Sequence, residues 1–197
     1  MRDFEILVAQ TIGFLSLWAV IDRHVRQHGP IPQARTFTLV NSWFYSAVSF
    51  VLFCLIMSPS HEATVRHLFH ASKFYEYVDV LGVRAGGGDV DLHFGFHHLT
   101  TPYLSYVRVV LHSQGWRVLA SLNTLHHGFM YAYFGGAVFL RRVLVVTGSA
   151  QLVVGICGEI VLLRRIESKV MWPHVVGLSL LSAYLVLWVR DVRMRRR

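Results

Sequence analysis

The chain has 197 residues, is 54% hydrophobic and only 15% charged, and carries a formal net charge of +8, with a mean hydropathy of +0.46. A soluble domain carries about a quarter charged residues, so this composition argues against a soluble fold. It also argues against nucleic-acid binding, because the arginines fall between long apolar blocks and at the C-terminus rather than on one basic face. Cys54 and Cys157 both lie inside apolar blocks, and no disulfide framework is expected. The expected class is an all-α polytopic membrane protein forming one domain over residues 1–197, with about seven spans of about 20 residues each.

In chain order the predicted spans are Phe4–Ile21, Phe37–Met57, Val65–Val83, Leu92–Leu111, Trp116–Leu140, Val143–Leu163 and Trp172–Val189. Phe4–Ile21 reads as a retained signal-anchor helix, because no small-residue cleavage site follows a short apolar core. His28, Gly29, Pro30 and Pro32 break the chain after the first span, and Gly86, Gly87, Gly88 and Asp89 break it after the third. The third span carries Lys73, Glu76 and Asp79, at i, i+3 and i+6, which spread over one broad helical face turned inward.

Lys/Arg placement sets the expected orientation. One side receives Arg23, Arg26, Arg35, Arg84, Arg141, Arg142 and the arginines at 190, 193, 195, 196 and 197. The other receives Arg2, Arg66, Lys73, Arg108, Arg117, Arg164, Arg165 and Lys169. This bias predicts a cytoplasmic C-terminus.

The chemistry-bearing residues lie inside the apolar blocks. His93, His97 and His98 fall in the fourth span, and His126 and His127 in the fifth. An unsatisfied polar group in a bilayer costs several kcal/mol, about 2–7. Ionisable groups at that depth therefore face a protein interior or a wet cavity. On a helix His93 and His97 share a face, and His98 is turned by about 100°. Asn123 and His127, at i and i+4, share a face, and an amide so placed can fix an imidazole tautomer. Thr147 and Gln151 form a further i, i+4 polar pair, for which helix–helix hydrogen bonding is the plainer reading. Two chemistries suit such histidines. One is a metal site, as in a di-iron membrane desaturase or hydroxylase. The five clustered histidines are few for it unless His61, His67 and His70 are recruited. The other is metal-free nucleophilic and acid–base catalysis by imidazole.

The ordered set of motifs resembles the very-long-chain fatty-acid elongases, the ELO family of 3-ketoacyl-CoA synthases. The family pattern K-x-x-E-x-x-D-T is similar to Lys73, Glu76, Asp79 and Val80. The pattern H-x-x-H-H resembles His93, His97 and His98, with one extra residue. The pattern N-x-x-x-H-x-x-M-Y-x-Y-Y matches Asn123, His127, Met130, Tyr131, Tyr133 and Phe134. The pattern T-x-x-Q-x-x-Q matches Thr147, Gln151 and Val154, and an early Asn–Ser pair appears as Asn41 and Ser49. The departures are the lengthened histidine motif, Val80 for threonine, Val154 for glutamine, and a shorter chain.

The resemblance implies seven transmembrane helices around an acyl-chain tunnel, in the endoplasmic reticulum membrane, with no metal or redox cofactor. It implies that a fatty acyl-CoA acylates His97 and that malonyl-CoA then decarboxylates and attacks the acyl-imidazole. His127 would orient or protonate, supported by Asn123, while His98, Glu76 and Asp79 complete the inward network. Lys73, Tyr131 and Gln151 join them as substrate-binding candidates, and Arg141 and Arg142 are the expected CoA phosphate contacts, since paired cations suit phosphate. Expected partners are the bilayer, acyl-CoA and malonyl-CoA, with a homodimer and other elongation-cycle enzymes as further candidates. A non-catalytic, lipid-binding elongase homologue is the alternative that the altered histidine motif keeps open. Counting back from the His97–His98 pair, the family's first histidine falls on Phe94. His93 is then expected to turn away from the reaction centre and to be dispensable.

Overall fold

A computed structural model describes residues 2–111, 114–165 and 171–194. The chain is all-helical, with no strand among the described residues. The α-helices are α1 (Arg2–His28), α2 (Ala34–Met57), α3 (Glu62–Tyr75), α4 (Tyr77–Ala85), α5 (Leu92–Ser105), α6 (Trp116–Phe134), α7 (Arg141–Leu163) and α8 (Trp172–Met194). Four helical stretches are long and apolar enough to cross a membrane: Phe4–His28, Ala34–Met57, Val138–Leu163 and Trp172–Met194.

The helix ends follow local chemistry. α1 stops where Gly29 takes φ +84, a left-handed position that glycine adopts without a Cβ penalty. α4 ends at the glycine run, with Gly87 at φ +83. α5 starts at Asp91, whose side chain accepts the Phe94 N–H at 2.7 Å. Two expected spans are interrupted. The stretch expected at 65–83 is divided at Glu76 into α3 and α4. The stretch expected at 116–140 stops at Phe134, because Gly135 and Gly136 end α6 and a short 3-10 turn at Val138–Leu140 follows. The stretch expected at 92–111 is helical throughout but changes character. Pro102 has no N–H to donate to the His98 carbonyl, and residues Tyr106–Leu111 widen into a π-helix.

The distribution of side chains inverts that of a soluble protein. Phe4, Ile6, Ile12, Val20, Val40, Trp43, Val146 and Val186 are exposed. Asn41, Ser46, Ser49, Lys73, Glu76, Asp79, His98, Arg108, His127, Glu159 and His174 are buried. An apolar exterior and a polar interior suit a hydrocarbon solvent, and this is a membrane-protein-like architecture. Small residues let the helices approach closely, as in membrane bundles. A Cβ on Gly128 of α6 would come within 2.8 Å of the Phe50 ring of α2. A Cβ on Gly148 of α7 would come within 2.6 Å of the Trp188 ring of α8.

Two positions counted for orientation do not face a membrane surface. Lys73 is 4% exposed and Arg108 is 1% exposed. Lys169, Arg195, Arg196 and Arg197, and the Arg2 side chain, lie outside the described residues. Arg84 is tied to Asp22 of α1 at 2.7 Å. At the opposite end, Arg117 of α6 lies 2.9 Å from Glu62 of α3, and that hydrogen bond, with one from Trp116, holds the Glu62 carboxyl below its usual range.

Arg108 explains how the far ends of α5, α7 and α8 are joined. Its Nε donates to Glu159 Oε1 at 2.6 Å, and His174 Nδ1 lies 2.7 Å from Glu159 Oε2. Gly177 of α8 leaves room for the pair, since a Cβ there would come within 2.9 Å of the Glu159 carboxylate. Removing one partner of a buried ion pair strands the other charge at a cost of about 3–5 kcal/mol. Glu159→Ala should therefore destabilise by about that amount, read as a lowered Tm in detergent. The double variant Arg108→Met with Glu159→Leu should recover most of the loss. Equal destabilisation by the single and double variants would show that the pair's charge is not what matters.

Candidate active site

Lys73, Glu76 and Asp79 sit where α3 passes into α4, and their side chains enter the space between α2, α5 and α6. Glu76 is completely buried. Its Oε1 accepts Lys73 Nζ at 2.6 Å and Tyr45 Oη at 3.0 Å. His127 Nδ1 lies 3.1 Å from the same oxygen, and His98 Nδ1 lies 3.8 Å from Oε2. Glu76 Oε2, His98 Nδ1 and His127 Nδ1 have no hydrogen-bond partner among the described residues. Buried polar atoms are nearly always paired. Around this carboxylate Glu76 Oε2 and His98 Nδ1 face each other across 3.8 Å without a hydrogen bond.

Lys73 also reaches across to Asn123 Oδ1 at 2.6 Å. The Asn123 amide then lies 3.3 Å from His127 Nε2 and donates to Gln151 Oε1 at 3.3 Å. The i, i+4 spacing of Asn123 and His127 thus becomes a contact, and α7 joins the cluster through Gln151. Asp79 is held separately. Asn41 Nδ2 donates to its Oδ1 at 2.8 Å, and the Tyr131 hydroxyl donates to Oδ2. Tyr45 packs edge-on against Tyr131, with ring centroids 4.6 Å apart. The aromatic wall therefore links the Glu76 and Asp79 carboxylates.

His97 enters from α5. Its ring is 6.4 Å from the His127 ring, 5.3 Å from His98 and 4.7 Å from Tyr184 of α8. With Lys73, Asn123, Gln151 and Tyr184 it lines a cavity of about 40 Å³, enough for a water or one small reacting group. Leu104, Leu119, Leu152 and Leu181 close the cavity on its apolar side.

The structure thus brings together Lys73, Glu76, His97, His98, Asn123, His127 and Gln151, with Asp79 and Tyr131 adjoining. His93 lies at its edge, with its ring 6.1 Å from that of His97, while Arg141, Arg142 and Thr147 lie outside it. His93 is turned toward α8, where its Nδ1 lies 2.9 Å from Asp191 Oδ2. Arg141 and Arg142 are exposed at the start of α7, about 14 Å along the helix from Gln151 at 1.5 Å per residue. Thr147 serves His126 rather than His127, with its Oγ1 2.8 Å from His126 Nδ1. Sequence reasoning passed over Tyr45, Tyr184 and Asp191. Tyr45 had a signal, since it lies one turn after Asn41 on the same face of α2. Asp191 had one too, as the single acid of α8.

Glu76, His97 and His127 place ligand-capable atoms within 4.8 Å of one another. These donor types suit zinc or iron. The Lys73 ammonium, 2.6 Å from Glu76 Oε1, already supplies the positive charge that a metal would bring to this carboxylate. No family model, curated protein or solved structure matches the chain.

Lys73 and Glu76 form a pair taken out of water, so each is costly without the other. Lys73→Met should destabilise strongly, and Glu76→Gln in the same background should relieve part of the loss. Denaturation of the two single variants and the double variant should give a coupling of about 1–3 kcal/mol. Additive effects would mean that the two side chains do not sense each other.

Proposed function

We propose that the chain is a fatty-acid elongase, condensing a fatty acyl-CoA with malonyl-CoA to a 3-ketoacyl-CoA, carbon dioxide and CoA. The observation that carries this reading is that four separated motifs each send one residue to a single cavity, Lys73, His97, Asn123 and Gln151, with Glu76, His98 and His127 packed behind them. Independent packing roles would not require those residues to converge.

The chemistry follows from the residues. A ring nitrogen of His97 attacks the thioester carbonyl, the carbon–sulfur bond breaks, and CoA leaves. The resulting acyl-imidazole is an activated acyl donor. Malonyl-CoA next loses carbon dioxide, which leaves a carbanion without any strong base. The carbanion attacks the acyl carbonyl, the carbon–nitrogen bond breaks, and the imidazole takes up one proton. His127, with Asn123 at its Nε2 and Glu76 at its Nδ1, is placed to orient the second substrate and to handle that proton. Lys73 and the Asn123 amide offer positive charge and hydrogen bonds to the thioester oxygen. The acyl chain extends from His97 by parting the layer formed by Leu104, Leu152 and Leu181.

In this reading the chain crosses the endoplasmic reticulum membrane seven times, α3 and α4 together making one crossing. The C-terminus is cytoplasmic. A protease added to sealed microsomes should remove a C-terminal tag, and a protected tag would overturn the orientation.

The decisive assay incubates the purified protein with radiolabelled malonyl-CoA and a panel of acyl-CoAs, and locates any acyl adduct by mass spectrometry. Condensation and an adduct on His97 are expected, and His97→Ala should lower the rate by about a thousand-fold or more. Activity should survive dialysis against strong chelators. An adduct on another residue would refute the assignment of the nucleophile. Stoichiometric iron or zinc, with activity lost on its removal, would favour the metal-dependent desaturase or hydroxylase, for which Glu76, His97 and His127 could supply ligands to one ion.

A further inference from the structure

Asp191 is the single acidic residue of α8. It is 15% exposed and its carboxylate meets His93, itself 17% exposed, at 2.9 Å. The Trp188 ring, one turn before Asp191, packs edge-on against His93 with centroids 5.9 Å apart. The His93 ring in turn sits 6.1 Å from the ring of His97, one helical turn further along α5. Asp191, His93 and His97 therefore form a line of carboxylate, imidazole and nucleophile. The register of α5 explains why the line exists. Residues Leu92–Ser105 form one uninterrupted α-helix, so the extra residue in the histidine motif is not absorbed by a bulge. It rotates His93 by about 100° from the position that Phe94 takes. That rotation aims His93 at α8, where Asp191 stands.

Building on the condensation reading, we propose that Asp191 is a positioning residue that makes His93 the proton carrier of the acylation step. A carboxylate accepting the Nδ1–H of an imidazole fixes its tautomer and leaves Nε2 with a lone pair. It also stabilises the imidazolium formed once that lone pair takes a proton. When one ring nitrogen of His97 attacks the thioester, the ring becomes a cationic acyl-imidazolium. Its other ring nitrogen gives up its proton to His93 Nε2 through one bridging water, since ring centroids 6.1 Å apart are too far for direct transfer. His93 then returns the proton to the departing CoA thiolate. The products are acyl-His97 and neutral CoA thiol, with no proton gained or lost. His93 is thus required for acylation, contrary to the expectation drawn from the motif spacing alone.

The test is a rapid-quench measurement on the full-length protein in detergent, with CoA release from a stoichiometric acyl-CoA read by a thiol reagent. Binding is measured separately with a non-transferable thioether analogue. Asp191→Asn should slow the burst of CoA by about 10–100-fold, the scale of losing a partner that orients a functional histidine, with analogue binding unchanged. His93→Ala should slow it as much, the double variant should be no slower than the worse single one, and Asp191→Glu should restore most of the burst. A wild-type burst in Asp191→Asn would overturn the proposal. So would a loss that tracks weakened binding and a lowered Tm and is not restored by Asp191→Glu, because that pattern marks a mere tie between α5 and α8. Absence of both CoA release and adduct in the wild-type protein, with every acyl-CoA tried, would remove the condensation reading itself and the dyad's role with it.

Discussion

The burial of Glu76 is the constraint on which the interior depends. A carboxylate with no exposure to water is tolerated only if its charge is compensated and its oxygens are approached by donors. One oxygen is saturated, by Lys73 and Tyr45. Those two contacts fix α2 against the α3–α4 junction, and Lys73 carries the link onward to Asn123 of α6. The other oxygen faces His98 across 3.8 Å without a hydrogen bond. One oxygen of the carboxylate thus ties α2, α3 and α6 together, and the other faces α5.

Above and below that layer the bundle alternates in polarity. The Glu76 and His97 layer is polar, the Leu104, Leu152 and Leu181 layer is apolar, and Arg108, Glu159 and His174 form a second polar layer. In each polar layer a buried carboxylate meets a cation, Glu76 with Lys73 and Glu159 with Arg108, which is the condition for charge at such depth. The apolar layer lies between two networks that resist rearrangement, so it is the part of the α5–α7–α8 interface that yields most cheaply. It holds only dispersion contacts, with no hydrogen bonds to break. Gly155 of α7 contributes to this by leaving space for Leu181.

Much of the site was legible in the sequence because helical spacing maps directly onto contact. The separations Lys73 to Glu76 and Asn123 to His127 are local, and both became contacts. What spacing alone leaves open is which helix receives each group. Arg108 and Lys73 count toward one side of the membrane although both lie in expected spans, and both turn inward to carboxylates, Arg108 to one 51 residues away. Arg141 and Arg142 read as phosphate contacts because they are adjacent, and the structure shows only that both are exposed at the start of α7, outside the Glu76 cluster. The break at Glu76 and the end of α6 at Gly135 also changed element lengths. The glycine pair carried a signal for the second, whereas the helix-compatible backbone at Glu76, φ −60 and ψ −16, carried none.

Against the elongase pattern that it resembles, the histidine motif is one residue longer, and the difference is met on another helix. Phe94, which takes the position vacated by the rotation, packs with Phe14 of α1 and with Tyr77 and Val80 of α4. Its ring also lies edge-on to His98, with centroids 4.6 Å apart. A polar side chain there would face a largely apolar cluster. The rotated His93 instead meets a carboxylate. The extra residue therefore costs no unsatisfied group. It exchanges an apolar seal on one face of α5 for a charged contact on the next, and the exchange works only because α8 places Asp191 one turn beyond Trp188.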